Sequence, residues 1–398
     1  MLTSELVALV SGENPVLAFG ELRSLLLAQN QPICGMKLEF ERLVQFPVVG
    51  NSKSIQELAS WLVCRAALTH HVGLILGLRR DTIETADGVN LTEVILDSAE
   101  SINDELWPSS TQTFAVRFRR IGEAMADGKY RKLLPILERE LGSLIRSKTG
   151  PTVALDNPQC RIDGFLTSTG VVLSKRLATA NRTAIRERRP SKRAFFHPSA
   201  MGTILARCIV NLALPKEGDI LVDPFAGSGG FLIEADEMNL QVIGIEKNRG
   251  QLWGLKKNLR AHGHGLAGGI LGDARYPPFR PGAVACIATD PPYGIASSTE
   301  GVVIETLLEN MLKNWKPIVR GRLVICLPRT IPIVEIAKRV GWYPIEIYYW
   351  LVHRSLTRQI TVFVQDSSAL LEATPTWESP DPKGRQFAPM REQRKGDP

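Results

Sequence analysis

Asp290 is followed by Pro291, Pro292 and Tyr293, within the run ATDPPYG from Ala288 to Gly294. Two successive prolines remove two N–H donors and stiffen the turn, which leaves a carboxylate, backbone carbonyls and an aromatic ring. Such a turn accepts hydrogen bonds and barely donates. The guest it suits is an amine whose lone pair is delocalised into a ring, as in the exocyclic amino group of a base. Accepting both N–H bonds, at the Asp290 carboxylate and the Pro291 carbonyl, draws that nitrogen toward tetrahedral geometry and frees its lone pair for in-line attack on an electrophilic methyl group. That chemistry needs no metal. Tyr293 is suited to stack on the base, a contact worth on the order of 1–3 kcal/mol and comparable with the few kcal/mol needed to draw a base from its stack. The competing account is an ordinary turn made of an aspartate and prolines.

A second constellation lies upstream. Asp219 to Gly230 reads DILVDPFAGSGG, a strand running into Asp223, then the small-residue loop Phe225, Ala226, Gly227, Ser228 and Gly229, then a helix from about Phe231. The glycines let the chain turn sharply and bring backbone N–H groups close to a ligand. No Gly-Lys-Ser/Thr follows, which excludes a Walker A loop and argues against a nucleoside triphosphate. The next strand ends in Glu246, a carboxylate positioned for ribose hydroxyls, and the one after it in Asp273 and Ala274, where an acceptor can meet an adenine amino group. Acids at three successive strand ends after a glycine loop point to a bound nucleoside. The plainer alternative is that Asp and Glu cap helices at such junctions.

These residues need a scaffold that puts successive strand ends side by side. The C-terminal half supplies one, with strands expected at 219–222, 241–245, 269–271, 283–289 and 322–327, and helices at 230–239, 249–262, 301–315 and 333–340. Two further β-rich runs, 344–352 and 359–364, are close enough to pair as an antiparallel hairpin. The pattern is an α/β, doubly wound domain of seven strands. The N-terminal half reads as a separate α+β assembly, with helices at 17–29, 54–65 and 133–145 and strands around 37–49, 113–119 and 152–155. Phe114, Val116 and Phe118 alternate with Arg117 and Arg119, as in a half-buried strand.

Composition sets the outer limits. At 398 residues, 44% hydrophobic and 22% charged, the chain is long enough for two or three globular domains, and no apolar run reaches the ~20 residues of a membrane span. Trp61 to Leu78, the most apolar stretch, is interrupted by Arg65, His70 and His71. Six well-separated cysteines read as reduced core residues of a cytoplasmic protein, and His262 and His264 around Gly263 read as a solvated turn, so no metal is expected. The net charge is +7, and Lys175 to Arg193 alone holds eight basic residues with Glu187 as its only acid. Such a cluster suits a polyanion, although a solvated basic linker explains it too.

DPFAGSGG with TDPPYG resembles the class I, Rossmann-like methyltransferases that act on amino groups, over roughly residues 193–366. The aspartate in that motif, the KRAFFHPSAM segment from Lys192 to Met201 and VHRSLTR from Val352 to Arg358 resemble more narrowly the Trm11/Trm-G10 family of tRNA (guanine-N2) methyltransferases. The resemblance implies S-adenosylmethionine as cofactor and N2 of guanosine at position 10 of tRNA as target, with one or two methyl groups left open. It also implies ferredoxin-like and THUMP-type domains before the catalytic domain, giving boundaries of 1–50 for the first region, 51–158 for the RNA-binding domain, 159–191 for a basic linker, 192–372 for the methyltransferase domain and 373–398 for a disordered tail. His197 and its neighbours Phe195, Phe196 and Pro198 become a cover over the cofactor, against a plain helix entry with two core aromatics. His353, Arg354, Ser355, Thr357 and Arg358, read as a loop between the last two strands, approach the substrate, with Arg354 and Arg358 toward a phosphate or the base carbonyl, against a structural hairpin turn with solvated arginines. Arg117, Arg119 and Arg120 become tRNA phosphate contacts, against a solvated strand face that explains them almost equally well. A small activating protein subunit stays open, as do guanosine at another tRNA position, adenine N6 of DNA, and a non-catalytic tRNA-binding partner.

Overall fold

The computed structural model describes residues 3–80, 88–122, 129–167, 170–198, 200–262, 268–293, 304–354 and 356–367. Two compact units emerge from its contacts. One takes residues up to Pro15, Asn30–Cys64 and Leu68–Ala180; the other takes Val16–Gln29, Arg65–Ala67 and the chain from Asn181 onward.

In chain order the first part runs β1 (Thr3–Val10), α1 (Pro15–Ala28), β2 (Lys37–Glu39), β3 (Leu43–Val49), α2 (Ser52–Arg65), β4 (Thr69–Arg79), α3 (Gly88–Glu100), β5 (Thr113–Arg120), α4 (Lys129–Thr149), β6 (Thr152–Val153), β7 (Cys160–Thr167) and β8 (Gly170–Thr179). Its strands form one sheet in the order β2-β3-β1-β4-β8-β7-β5-β6. β1 pairs antiparallel with β3 and β4, β8 antiparallel with β4 and β7, and β5 parallel with β6 and β7. Phe114, Val116 and Phe118 of β5 point inward as their alternation predicts, and pack with Ile95 of α3 and Leu137 and Leu141 of α4.

The expected linker at 159–191 is corrected here. Cys160–Thr167 and Gly170–Thr179 are β7 and β8, inner strands that bury Ile162, Phe165, Leu166 and Val171 to Leu173. The division between the units falls at Ala180 and Asn181, not at 191. The basic run is divided as well. Arg176 forms a two-pronged pair with the fully buried Asp163, Arg188 does the same with Glu234, and Lys192 pairs with Glu187. Two of the six cysteines, Cys34 and Cys64, are exposed rather than core, and no disulfide joins any of them. No helix of the described residues is long and apolar enough to cross a membrane.

The second part continues with α5 (Arg182–Glu187), α6 (Thr203–Leu212), β9 (Ile220–Asp223), α7 (Gly230–Asp236), β10 (Gln241–Glu246), α8 (Arg249–Ala261), β11 (Gly268–Leu271), β12 (Cys286–Thr289), α9 (Ile304–Trp315), β13 (Leu323–Pro328), α10 (Ile333–Arg339), β14 (Tyr343–His353) and β15 (Leu356–Val364). The seven strands lie in the order β11-β10-β9-β12-β13-β15-β14, with only β15 antiparallel to its neighbours. β12 (CIAT) and β13 (LVICLP) are unbroken apolar runs because both of their faces are covered. The strand expected from Ala283 begins at Cys286, with Val284 making an isolated bridge to Val319. The tail at 373–398 lies outside the described residues, as do Gly263, His264, Gly294 and Ser355.

The order of the sheet reverses direction between β9 and β12, and ligands of open α/β sheets bind at the carboxyl ends of strands beside such a switch. β9, β10, β11 and β12 are the strands that Asp223, Glu246, Asp273 and Asp290 end or follow.

Candidate active site

Asp223 is 1% exposed, and its Oδ1 accepts from the Thr289 hydroxyl at 2.7 Å and from the Phe225 N–H at 3.1 Å. It therefore ties the start of the glycine loop to the end of β12, the strand that carries Asp290. Burial raises its carboxyl to about 7, against the pull of those two donors. Gly227 (φ +50°) and Gly229 (φ +87°) take conformations that a side chain disfavours. A Cβ at Gly229 would sit 2.4 Å from Leu255 Cδ1, whereas one at Gly227 would meet nothing within 4 Å, so the loop leaves open space over its middle.

Glu246 faces that loop from β10. Its Oε2 accepts from the Gly227 N–H at 2.9 Å and its Oε1 from the Asn248 N–H at 2.7 Å, which fixes the carboxylate while leaving lone pairs for further donors. Asp273 is held by Arg275, whose Nη2 lies 2.7 Å from Oδ2 and whose N–H and Nε both donate to Oδ1, and these bonds keep its carboxyl below the usual range. This pairing is not legible from sequence, because an arginine two residues on reads as a surface charge. Ala274 is buried, and its carbonyl accepts the Trp315 indole N–H at 2.7 Å.

Asp290 is largely enclosed. Its Oδ2 accepts from Arg358 Nη1 at 2.8 Å, whereas its Oδ1 is buried with no hydrogen-bond partner among the described residues. Burial raises the carboxyl to about 6, and the charge and hydrogen bond of Arg358 work in the opposite direction. Pro291 is buried, while Pro292 and Tyr293 are partly exposed. Arg358 also stands 5.8 Å from the centre of the Tyr293 ring. It reaches the turn from β15, at the register where it faces Pro328 of β13. Thr357 and Arg358 are thus strand residues, not members of a loop, and His353 ends the partner strand. Arg354 is exposed at the hairpin end.

Phe195 lies against α8, its ring perpendicular to that of Trp253 with centroids 6.0 Å apart. Gly254 makes that approach possible, since a Cβ there would stand 2.2 Å from the Phe195 ring. Phe196 is 55% exposed, so only one of the two expected core aromatics packs inward. His197 is partly buried, and its carbonyl accepts the Ala200 N–H at 3.0 Å. The fully buried Asn258 connects this segment to the glycine loop: it accepts from the Phe195 N–H at 2.7 Å and donates to the Phe195 and Ser228 carbonyls at 3.0 and 2.9 Å.

Arg117 and Arg119 lie on β5 in the other unit. Arg117 Nη1 is 3.3 Å from Glu138, which also accepts the Phe118 N–H, so its charge is already paired. Arg119 is exposed; partial burial of its guanidinium and the nearby charges of Arg176, Arg161 and Arg42 lower its pKa against the opposing effect of Asp163. Among the described residues no group of three His, Cys, Asp or Glu side chains could hold a metal ion.

The sequence model of a family described as RMKL-like, methyltransferase domain, matches residues 190–359, and one described as DNA methylase matches residues 105–255, ending before the Asp290 turn. A tRNA (guanine(10)-N2)-dimethyltransferase of Methanothermobacter thermautotrophicus is 31% identical over 90% of this chain and 98% of its own length. One from Methanocaldococcus jannaschii is 28% identical over 89% of this chain and 98% of its own. The crystal structure of TrmN from Thermus thermophilus aligns with 90% of this chain and 99% of its own at a TM-score of 0.49 and 20% identity. With the glycine loop, the Asp290 turn and near-complete coverage of the Methanothermobacter enzyme in one chain, this protein belongs to the Trm11/Trm-G10 family of tRNA (guanine-N2) methyltransferases.

Proposed function

We propose that the protein transfers a methyl group from S-adenosylmethionine to the N2 amino group of guanosine at position 10 of tRNA. The observation that carries this reading is the asymmetry of Asp290. One oxygen is fixed by Arg358 and the other is buried without a donor, so the carboxylate lacks only an N–H to accept. Base and position follow the activity of the Methanothermobacter and Methanocaldococcus relatives.

The residues present fit the cofactor. The open space over Gly227 and the pinned Glu246 carboxylate form a cradle for a nucleoside, with backbone from Phe225 to Gly229 along one side, Glu246 for the ribose, and Asp273 and Ala274 for the adenine. His197, with Phe195 and Pro198, would close over it. Bound there, S-adenosylmethionine supplies an electrophilic methyl group. Asp290 Oδ1 accepts one N–H of the guanine amine and the Pro291 carbonyl the other, which holds the nitrogen with its lone pair directed outward. Tyr293 stacks on the base, and Arg358 keeps both the carboxylate and the ring in place. Asp290, raised to about 6, then takes the surplus proton of the methylated nitrogen on Oδ1.

For the N-terminal part of the chain we propose a ferredoxin-like region followed by a THUMP-type domain that receives tRNA. The βαββαβ sequence of β1 to β4, with neighbours β2-β3-β1-β4 all antiparallel, supports the former. Arg119, near Arg42, Arg161 and Arg176, supplies cations for phosphates, with Arg354 adding one beside the base. The protein is proposed to work in the cytoplasm.

Incubating the purified chain with unmodified tRNA and labelled S-adenosylmethionine, then digesting to nucleosides and mapping the label, tests the whole reading. N2-methylguanosine or N2,N2-dimethylguanosine at position 10 is expected, and their ratio gives the methyl count. Label on an adenine, or on guanosine elsewhere in the tRNA, would overturn the assignment.

A further inference from the structure

Arg193 lies between α5 and α6 and is 7% exposed. Its Nε donates to the Arg188 carbonyl at 3.1 Å, but both terminal nitrogens are buried and meet no acceptor among the described residues. A guanidinium presents parallel donors in a fork that matches a carboxylate. Its surroundings do not supply one. Glu234, fully buried, receives two bonds from Arg188 and one from Arg207, and Glu237 receives the remaining Arg188 nitrogen. Among the described residues Glu234 is thus held by Arg188 and Arg207 rather than by Arg193, and a buried cation without a hydrogen-bonded partner is strongly unfavourable.

The end of the guanidinium lies beside the glycine loop. A Cβ built on Gly230, the residue that follows the loop, would be 3.4 Å from Nη1 and 3.9 Å from Nη2. Asn258 fastens the chain two residues beyond Arg193 to the Ser228 carbonyl in the same loop. S-adenosylmethionine carries a single anionic group, the carboxylate of its amino-acid end, alongside an ammonium and a sulfonium. We propose that Arg193 binds this carboxylate through its two terminal nitrogens and so completes the cofactor site at the end opposite Glu246. The inference rests on the assignment of S-adenosylmethionine as cofactor. It makes the buried positive cluster a preformed half of an ion pair whose other half arrives with the ligand.

Calorimetric titration of the full chain with S-adenosylmethionine and with decarboxylated S-adenosylmethionine tests this without reference to turnover. The wild type is expected to prefer the carboxylated compound by roughly tenfold or more, the scale of a charge-assisted hydrogen bond. Arg193→Gln should remove that preference while leaving affinity for the decarboxylated compound unchanged, and Arg193→Lys should retain part of it. Equal binding of both compounds by the wild type overturns the proposal even if no variant folds. So does an Arg193→Gln protein that keeps the preference, weakens both compounds equally, or loses affinity for tRNA alone, which would give the guanidinium to a phosphate. A wild type that binds neither compound fails at the cofactor assignment, a distinct result that removes both ideas.

Discussion

The two oxygens of Asp290 have different partners, and that difference makes its protonation measurable. With Arg358 donating to Oδ2, a proton taken up by the carboxyl sits on Oδ1 and turns it from acceptor to donor, and burial has raised its pKa to about 6. Activity is therefore present above that value and lost as pH falls through it, and kcat/KM should drop about tenfold per pH unit on the acid side. Arg358 opposes the effect of burial, so Arg358→Met should move this acid limb to higher pH, with a pH–rate profile as the readout; an unmoved limb would show that the pair does not govern the titration. Asp290→Asn should lower kcat by roughly 10²- to 10⁴-fold while titration shows cofactor affinity retained. Asp290, Pro291 and Tyr293 were legible because their chemistry is local: two prolines and an acid in sequence define an accepting turn. The Arg358 contact was not. It depends on the register of β15 against β13, which sets residues 68 positions apart within hydrogen-bonding distance.

At the scale of elements, the catalytic strands were readable because parallel strands covered on both faces show as apolar runs ending in acids, as in β9 and β12. The strand starting at Gly170 was hidden by Lys175 and Arg176, which gave its second half the look of a linker, although Val171 to Leu173 in its first half are buried. β4 posed the opposite difficulty. It lies within the most apolar stretch of the chain because it is an inner strand of an eight-stranded sheet. One side chain joins two elements of the site in a way no pattern shows. Asn258 on α8 satisfies the Phe195 backbone on both its N–H and carbonyl sides and also the Ser228 carbonyl. Asn258→Ala leaves these buried groups unpaired and should cost about 1–3 kcal/mol of stability by chemical denaturation, with weaker cofactor binding in the same protein. Unchanged cofactor affinity would separate the loop from the Phe195 segment.

At the scale of the molecule, α1 comes early in the chain but is assigned with the catalytic unit. Its Arg23 pairs with the buried Glu346 at 2.9 Å, the Tyr348 hydroxyl donates to the same carboxylate at 2.6 Å, and its Glu21 accepts from Asn211 of α6 at 2.7 Å. Glu346→Gln leaves the Arg23 charge buried without its partner. A loss of about 3–5 kcal/mol in unfolding free energy is expected, with a small effect telling that water reaches the pair. A boundary near residue 50 could not reveal this arrangement, because hydrophobic periodicity identifies a helix but not the sheet it packs on.

The Arg23–Glu346 pair spans 323 positions of sequence. At a synthesis rate of about 5–20 residues per second, α1 leaves the ribosome roughly 15 to 65 seconds before the strand that receives it exists. During that interval Leu17, Leu22, Leu25 and Leu26, all buried in the finished protein, have no catalytic sheet to pack against. The methyltransferase unit therefore closes only when almost the whole chain has been made, and until then the apolar face of its newborn helix waits for its final partners.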